Sequence, residues 1–249
     1  MGVTRPVRLA LMGAGGRMGQ AVREEVLLRH DLELVRLLGR PQACAPHNVP
    51  SSAAQGTSPL EPLTREALET VDVLVDFSSE SGLLETVPIC RMTRTALVSG
   101  STPLGPDAGH LLDELSLHVA VLHASNFSRG MAALLSVLPG LHDRLGPRFD
   151  AGVIDVHHRH KQDSPSGTAR NLEAAWVRSP GALAPMASLR VGEATGDHAL
   201  WIDGDGERIE IWHRAWDRRV FAQGALDAAV WIAGQKPGRY GLGELWAYP

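Results

Sequence analysis

Residues 157 to 161 read HHRHK, so that five consecutive side chains are basic or become basic on protonation. The segment SPSGT follows at 164 to 168, and its Ser and Thr residues are of the kind that begin a helix. Three kinds of site would use such a cluster: a metal site, a nucleic-acid surface, or a pocket for a small anion. The composition and spacing of the chain distinguish among them.

The charge balance of the whole chain argues against a nucleic-acid surface. The 249 residues include 24 Lys and Arg against 28 Asp and Glu, which gives a net charge of -4. A protein that binds a phosphate backbone needs a broad basic face, whereas the basic cluster here is local. We therefore predict no nucleic-acid partner.

A metal site in the cluster would need His157, His158 and His160 as its ligands. Successive side chains of an extended segment point to opposite faces, so His157 would face away from the other two. Arg159 and Lys161 would also repel a divalent cation at short range. The pattern predicts that no metal is bound here.

The same charges favour an anion pocket. Ser166, Gly167 and Thr168 stand where a helix is predicted to begin, and a helix start offers backbone N–H groups and the positive end of the helix dipole. With His and Lys side chains on the other side, the pocket could hold two carboxylates of one small molecule. A surface basic loop followed by a capped helix stays open as the alternative on these residues alone.

The first half of the chain alternates apolar runs of strand length with segments of helical period. Strands are predicted at 7 to 13, 32 to 38, 71 to 77, 95 to 100 and 119 to 125, and helices at 17 to 30, 80 to 93 and 105 to 117. This alternation is typical of a parallel sheet covered by helices. Pro88 is expected to kink or end the second helix. Residues 40 to 63 are rich in Pro and Ser and are predicted to form a surface loop.

The second half of the chain has a different pattern. It predicts a long helix at 128 to 145, a strand at 151 to 158, a helix from 167, strands near 187 to 192, 197 to 203 and 207 to 213, and a last helix from about 220. The segment DGDGE predicts a hairpin turn, because the spaced ligands of a calcium loop are absent. Strands that follow an alternating half predict a second domain with an open, mostly antiparallel sheet.

The glycine-rich segment MGAGGRMG joins the first predicted strand to the first helix, where such a loop can hold a pyrophosphate. The usual G-x-G-x-x-G spacing would put its third glycine at Met18, but the glycines here allow 13, 16 and 19. Gly13 with Gly15 or Gly16 would let the backbone turn and approach the phosphates, and Gly19 would let the helix pack against the strand. The segment therefore predicts dinucleotide binding in preference to a purely structural turn.

The end of the second strand bears on the choice between NAD and NADP. An acid there contacts the adenosine ribose of NAD, and a basic neighbour accommodates the 2′-phosphate of NADP. Gly39 supplies no carboxylate, while Arg40 and Arg17 supply positive charge. We predict that NADPH is preferred and that NADH is possible, with a solvated Arg40 as the open alternative.

Cys44 and Cys90 are the two cysteines of the sequence, too few for a disulfide framework. A reducing, cytoplasmic location is therefore expected. The apolar run near the N-terminus is short and passes into glycines, and no apolar stretch approaches the ~20 residues needed to cross a bilayer. No membrane partner is predicted.

Four segments carry a resemblance to a known family. They are GAGGRMG (13 to 19), NFSRG (126 to 130), DVHHRHKQDSPSGTA (155 to 169) and GERIEIWHRA (206 to 215). In this order and spacing, and over nearly the whole chain, they resemble the dihydrodipicolinate reductase family. The resemblance implies reduction of 4-hydroxy-tetrahydrodipicolinate, a small cyclic dicarboxylate, to tetrahydrodipicolinate with NAD(P)H in lysine (diaminopimelate) biosynthesis.

The resemblance also implies an α/β fold in two domains. A Rossmann-type dinucleotide-binding domain would span 1 to 126 and be rejoined by 217 to 249. A smaller α+β domain at 127 to 216, with an open mixed sheet, would bind the substrate and build a homotetramer.

The resemblance further implies roles for individual residues. His157 matches the general acid/base and Lys161 the proton donor. His158 matches a substrate contact, and Gly167 and Thr168 match backbone amides that bind a carboxylate. The implied cofactor contacts are Gly13, Ala14, Gly15, Gly16, Arg17, Met18, Gly100, Ser101, Thr102, Ala124, Ser125, Asn126 and Phe127, to which the charge argument adds Arg40.

Three positions depart from the family's usual pattern. Asp155 replaces a Glu, GSTP with Pro103 replaces GTTG, and Gly39 replaces the acid after the second strand. Two other functions stay open: a reductase of another small cyclic imino or keto acid, and a non-catalytic NADP-binding sensor of the same fold. The presence of both His157 and Lys161 favours an enzyme.

Overall fold

The computed structural model describes residues 5–39, 59–177 and 184–247. These residues form two compact units. The first contains the chain up to Phe127 together with residues from Phe221 onward, and the second contains Ser128–Val220. Within the described residues, no helix has both the length and the apolar character needed to cross a bilayer.

The strands and helices follow one another in both units. The strands are β1 (Val7–Met12), β2 (Leu32–Gly39), β3 (Leu60–Pro62), β4 (Val73–Asp76), β5 (Ala96–Ser99), β6 (Ala120–His123), β7 (Asp150–His157), β8 (Met186–Arg190), β9 (Asp197–Gly204), β10 (Glu207–Arg214) and β11 (Gly238–Tyr240). The helices are α1 (Arg17–Val26), α2 (Arg65–Leu68), α3 (Glu80–Thr93), α4 (Pro106–Ser116), α5 (Arg129–Leu145), α6 (Gly167–Trp176), α7 (Arg219–Ile232) and α8 (Leu242–Leu245).

The first unit is built on a seven-stranded sheet in the order β3, β2, β1, β4, β5, β6, β11. Every neighbouring pair in this sheet is parallel. The strand order changes direction between β1 and β4, and a ligand crevice forms at the carboxyl ends of the strands at such a point. The predicted Rossmann-type sheet is confirmed.

The strands of this sheet are apolar because both of their faces are covered. Residues 9 to 12 of β1 and all four residues of β4 are buried. One face packs against α1 and α7, and the other packs against α2, α3 and α4. Continuous apolar runs, without polar alternation, are what such two-sided burial requires.

The second unit is built on a four-stranded sheet in the order β10, β9, β7, β8. β9 pairs antiparallel with both β7 and β10, while β7 and β8 are parallel, so the sheet is mixed. Helices α5 and α6 pack against it through a separate apolar core. The turn between β9 and β10 contains Gly206 at φ +85°, which confirms the predicted hairpin. The prediction of a smaller α+β unit with an open mixed sheet is confirmed.

Helix α3 spans Glu80–Thr93, the range that the sequence predicts, and Pro88 lies inside it without ending it. The proline removes the hydrogen bond to the carbonyl of Leu84, and that residue is exposed, so water can replace the lost donor. The predicted loop at 40 to 63 contains β3, a three-residue strand too short to show a period. Residues 40–58 lie outside the described residues.

Candidate active site

His157 is the last residue of β7, and Asp155 precedes it by two positions on the same face of the strand. Both are buried, with 7% of His157 and none of Asp155 exposed. Nδ1 of His157 lies 2.8 Å from Oδ1 of Asp155. A Cβ atom at Gly196 would lie 3.1 Å from Nε2 of His157, so the glycine keeps a side chain away from that nitrogen.

Asp155 is the centre of a hydrogen-bonded group. Its Oδ2 accepts from the backbone N–H of Ser166 at 2.9 Å, from Nη2 of Arg190 at 2.9 Å and from Oγ of Ser188 at 3.1 Å. Burial acts to raise the pKa of Asp155, but the hydrogen bonds from His157, Ser166 and Arg190 outweigh it and hold the pKa far below its usual value. Asp155 is therefore an ionised carboxylate.

A second buried histidine, His198 on β9, lies beside this pair. Its ring is perpendicular to that of His157 at a centroid distance of 5.0 Å, and its Nε2 is 3.2 Å from Oγ of Ser166. Burial, reinforced by the neighbouring His157, lowers the pKa of His198 to about 3. Burial also lowers the pKa of His213, whose Nε2 is 2.8 Å from Oγ of Ser128. Both imidazoles are neutral at pH 7.

The remaining residues of the basic cluster follow β7 directly. His158 is buried, whereas Arg159 and His160 are exposed. Nζ of Lys161 lies 2.8 Å from Oδ1 of Asp163, and only 19% and 13% of these two side chains are exposed. Within this cluster His158 is thus buried and Lys161 is partly shielded, while Arg159 and His160 lie at the surface.

Helix α6 begins where the sequence predicted. Ser166 is its N-cap, and Oγ of Ser166 accepts a hydrogen bond from the backbone N–H of Ala169 at 3.2 Å. Gly167 and Thr168 are the first two helical residues, and the first turn contains no acidic residue. An anion at this helix start would meet the positive end of the helix dipole without an opposing charge.

The arrangement also bears on metal binding. One ligand atom from each of Asp155, His157 and His198 lies within 4.8 Å of the others, a spacing that could hold a metal ion. Nη2 of Arg190, however, lies 2.9 Å from Oδ2 of Asp155 and places a fixed cation against the group. The expectation that no metal is bound stays a prediction.

The glycine-rich loop after β1 has the backbone geometry that a pyrophosphate requires. Gly13 has φ +80°, and a Cβ there would lie 2.5 Å from the carbonyl oxygen of Phe77. A Cβ at Gly19 would overlap the carbonyl of Gly13, so α1 packs directly on the loop. The first turn of α1 has no acidic residue and begins with Arg17. These features fit a dinucleotide phosphate.

The other residues of the loop differ in exposure. Gly15, Gly16 and Arg17 are exposed, whereas Ala14 is buried. Met18 packs against the core of the first unit. The exposed glycines are the part of the loop whose backbone a ligand can approach closely.

Two further segments with predicted cofactor contacts lie at the same edge of the parallel sheet. Residues 100 to 102 follow β5, and residues 124 to 127 follow β6. Because the strands are parallel, their carboxyl ends lie at the edge that also carries the glycine-rich loop. The structure thus brings the three segments to one edge of one sheet. Arg40 lies outside the described residues.

Asp76, at the end of β4, was not among the predicted site residues. It is fully buried, and its carboxylate accepts hydrogen bonds from Oγ of Ser78, Ser99 and Ser101 at 2.5, 3.0 and 2.8 Å. The backbone N–H of Ser78 also donates to it. In the sequence, Asp76 is a single acid at the end of an apolar strand, and this could have marked it. Its hydrogen-bond partners come from a neighbouring strand and loop, whose positions sequence periodicity does not reveal.

Phe77 was also not predicted, although it packs between the loops. A Cβ at Gly100 would overlap its ring, and the ring of Phe127 lies perpendicular to it at 5.7 Å. Nε2 of His123 is 3.1 Å from the carbonyl oxygen of Ser101, which links the ends of β5 and β6. Close packing around Phe77 explains why Gly100 carries no side chain.

Two family models match the chain. The model described as dihydrodipicolinate reductase, N-terminus, matches residues 7–127, and that described as dihydrodipicolinate reductase, C-terminus, matches residues 130–245. The chain belongs to the dihydrodipicolinate reductase family. The resemblance predicted from four short segments is confirmed.

Curated relatives named 4-hydroxy-tetrahydrodipicolinate reductase are similar to this chain over almost its full length. The protein of Xanthomonas campestris pv. campestris is 37% identical over 246 residues, covering 97% of this chain and 98% of its own. That of Pseudomonas fluorescens is 34% identical, covering 96% and 98%. That of Granulibacter bethesdensis is 32% identical, covering 97% of each.

Solved structures agree with the fold. The dipicolinate-bound dihydrodipicolinate reductase from Paenisporosarcina sp. TG-14 has a TM-score of 0.70 at 20% identity, covering 95% of this chain and 97% of that one. The C. glutamicum DAP dehydrogenase in complex with DAP has a TM-score of 0.59 at 11% identity, covering 99% of this chain and 97% of that one. The two-unit architecture is thus shared beyond the dihydrodipicolinate reductase family.

Proposed function

We propose that this chain reduces 4-hydroxy-tetrahydrodipicolinate to tetrahydrodipicolinate in the diaminopimelate route to lysine, with NADPH preferred over NADH. One substrate, one NAD(P)H and one proton give one product, one NAD(P)⁺ and one water. The observation that carries the proposal is the buried pair of Asp155 and His157 beside the start of α6, in a chain of this family. A bound nicotinamide cofactor would supply the hydride.

We assign proton transfer to His157 and Lys161. Loss of water from the 4-hydroxy substrate gives a conjugated C=C–C=N system, and its reduction adds a hydride at one carbon and a proton at its neighbour. The site therefore needs a group that gains and loses protons near neutral pH. Nδ1 of His157 lies 2.8 Å from Oδ1 of Asp155 and faces the carboxylate, so we assign the reacting proton to Nε2. Gly196 places no side chain over that atom.

We assign substrate binding to the start of α6 and the residues before it. A carboxylate would accept hydrogen bonds from the backbone N–H groups of Gly167 and Thr168, where the helix dipole is positive. His158 and the ammonium of Lys161 would contact the substrate's other polar groups. Positioning the ring in this way is what allows hydride transfer. The dipicolinate-bound relative supports a planar dicarboxylate as ligand.

We assign cofactor binding to the carboxyl edge of the parallel sheet, with the pyrophosphate at the glycine-rich loop. Support for NADPH comes from Gly39, which offers no carboxylate to the adenosine ribose, and from the exposed Arg17. A Cβ at Gly39 would lie 3.1 Å from the side chain of Leu60, so a side chain at this position would require Leu60 to shift.

We further infer a homotetramer built through the sheet of the second unit, in a cytoplasmic setting. Leu189 on β8 and Trp212 on β10 are apolar side chains exposed on this sheet, at 55% and 37%. Exposed apolar area of this kind is typical of interfaces. A sequence with only two cysteines suits a reducing compartment. Size-exclusion chromatography with light scattering measures the assembly, and a monomeric mass would contradict it.

The experiment that tests the function follows NADPH absorbance with freshly prepared substrate. We expect substrate-dependent oxidation of NADPH and formation of tetrahydrodipicolinate, with no oxidation when substrate is omitted. Other small cyclic imino acids and keto acids serve as comparison substrates. Faster turnover of one of these, or binding of NADPH without any turnover, would overturn the proposal.

A further inference from the structure

We propose that Asp155 is a positioning residue that joins the proton-transferring His157 to the carboxylate-binding start of α6, so that one buried carboxylate holds both halves of the substrate site. This inference rests on the proposed function and adds to it a residue that touches neither substrate nor cofactor. It also assigns Arg190 and Ser188 as the side chains that hold Asp155 in place.

Oδ1 of Asp155 lies 2.8 Å from Nδ1 of His157. An ionised carboxylate can only accept hydrogen bonds. We infer that Nδ1 of the neutral ring, which faces this acceptor at 2.8 Å, carries the proton and that Nε2 is left as the acceptor. The carboxylate thus fixes both the ring orientation and the tautomer, and it stabilises the cationic form after proton uptake.

The other oxygen of this carboxylate, Oδ2 of Asp155, accepts a hydrogen bond from the backbone N–H of Ser166, the N-cap of α6, at 2.9 Å. Gly167 and Thr168 follow immediately, so the backbone groups proposed to bind a substrate carboxylate are tied to Asp155. A displacement of Asp155 would move the general acid and the anion-binding turn together.

Arg190 extends the same frame to the lysine. Its Nη2 donates both to Oδ2 of Asp155 at 2.9 Å and to the backbone carbonyl of Asp163 at 2.5 Å. Oδ1 of Asp163 in turn lies 2.8 Å from Nζ of Lys161. The arginine therefore connects the carboxylate that orients His157 with the segment that orients Lys161.

His198 completes the surroundings of Asp155 without adding charge. Its Nε2 is 3.5 Å from Oδ1 of Asp155, and its ring packs against that of His157. Because burial keeps His198 neutral, the positive charges facing this carboxylate are Arg190 and, after proton uptake, His157. Lys161 is paired with Asp163, and His213 is the next titratable group beyond His198.

The tautomer of His157 can be measured in the wild-type protein, without any substitution. Two-bond ¹H–¹⁵N correlation spectra of ¹⁵N-histidine-labelled protein report which ring nitrogen carries the proton, and the spectrum of His157→Gln assigns the signal. We expect neutral His157 to be protonated on Nδ1. Protonation on Nε2 instead would overturn the proposal.

The coupling is tested by Asp155→Asn, with Asp155→Glu as the conservative variant. Asp150→Asn is the matched control, because it makes the same change at the exposed end of the same strand. For Asp155→Asn we expect kcat to fall ~100-fold, in the range for residues that orient a functional histidine, while KM for NADPH changes little.

Titration with pyridine-2,6-dicarboxylate reports the anion-binding turn separately. In Asp155→Asn its dissociation constant should rise about tenfold, since Ser166 loses a charged acceptor. Asp155→Glu should restore most of kcat and of the affinity, and Asp150→Asn should match the wild type. Circular dichroism at the assay temperature confirms that each variant is folded.

The outcomes separate this inference from the proposed function. If the wild-type protein does not reduce the substrate, the function fails, while the tautomer and the dicarboxylate titration still test Asp155. If Asp155→Asn is folded and keeps kcat within about threefold, below the range expected for such residues, Asp155 does not position His157. If kcat falls while pyridine-2,6-dicarboxylate binds as tightly as before, Asp155 positions His157 but does not hold the start of α6.

Discussion

Nζ of Lys161 lies 2.8 Å from Oδ1 of Asp163, and both side chains are mostly shielded from water. The ammonium is thus held in the segment that joins β7 to α6. A substrate carboxylate that arrives there meets a cation whose position is already fixed, which lowers the cost of ordering it on binding.

Replacing Lys161 with Ala should weaken the binding of pyridine-2,6-dicarboxylate by about tenfold or more, because hydrogen bonds to charged groups contribute roughly 1.5 to 3 kcal/mol. Isothermal titration in the presence of NADPH measures this. Lys236→Ala, at an exposed lysine of the first unit, is the control. Unchanged affinity for Lys161→Ala would remove the lysine from the substrate site.

Asp76 should matter for cofactor binding although its carboxylate is fully buried. Asp76→Asn weakens charge-assisted hydrogen bonds to Ser99 and Ser101, so the turn after β5 loses its fixed shape. We expect KM for NADPH to rise at least about fivefold and stability to fall by roughly 1.5 to 3 kcal/mol.

The control for Asp76 is Asp107→Asn, at an exposed position of α4. Steady-state kinetics and urea unfolding give the two readouts. A loss of stability with no change in KM for NADPH would show that Asp76 supports the fold alone.

His198 should make the protein less stable as the pH falls. Its pKa is lowered by burial from 6.5 to about 3, so between these values the unfolded chain takes up a proton that the folded protein excludes. The contribution is therefore present above pH 6.5 and is lost progressively towards pH 3, by up to about 1.4 kcal/mol per pH unit. The lowered pKa of His213 acts in the same direction.

The measurement for His198 is urea unfolding from pH 6.5 down to about pH 4.5, a window that lies within that range. His198→Gln should lower the slope of the unfolding free energy against pH by about the contribution of one bound proton. His110→Gln, at an exposed histidine of α4, should leave the slope as it is. An equal slope in wild type and His198→Gln would mean that His198 is not held neutral.

Arg40→Ala should raise KM for NADPH by about tenfold, the loss of one charged contact to the 2′-phosphate, and leave KM for NADH nearly unchanged. Steady-state kinetics with each cofactor at saturating substrate decide this. Arg91→Ala, at an exposed arginine of α3, is the control. An equal effect of Arg40→Ala on both cofactors would place Arg40 away from the 2′-phosphate.

The sequence predicts the alternating elements of the first unit well, because strands buried on both faces are continuous apolar runs. It does not predict β3 or β11, which have three residues each and form the two edges of the sheet by pairing with β2 and β6. Helix α3 has the range predicted from its helical period, and Pro88 lies inside it without ending it.

The site was predictable where its residues are close in sequence. His157, Lys161 and Gly167 lie within one segment, so their types and spacing carried the prediction. His198 and Arg190 come from other strands, and their approach to Asp155 depends on the register of β7 with β8 and β9. Periodicity within one strand contains no information about that register.

The most direct test of proton transfer by His157 is kcat for His157→Gln at saturating NADPH and substrate, with a strong chelator present throughout. We expect wild-type kcat to be unaffected by the chelator and that of the variant to fall ~100-fold or more, in the range of general acid–base contributions. Dicarboxylate affinity and KM for NADPH should stay close to the wild-type values. A variant kcat within about threefold of wild type, well below that range, or wild-type activity that the chelator abolishes and zinc restores, would contradict the account.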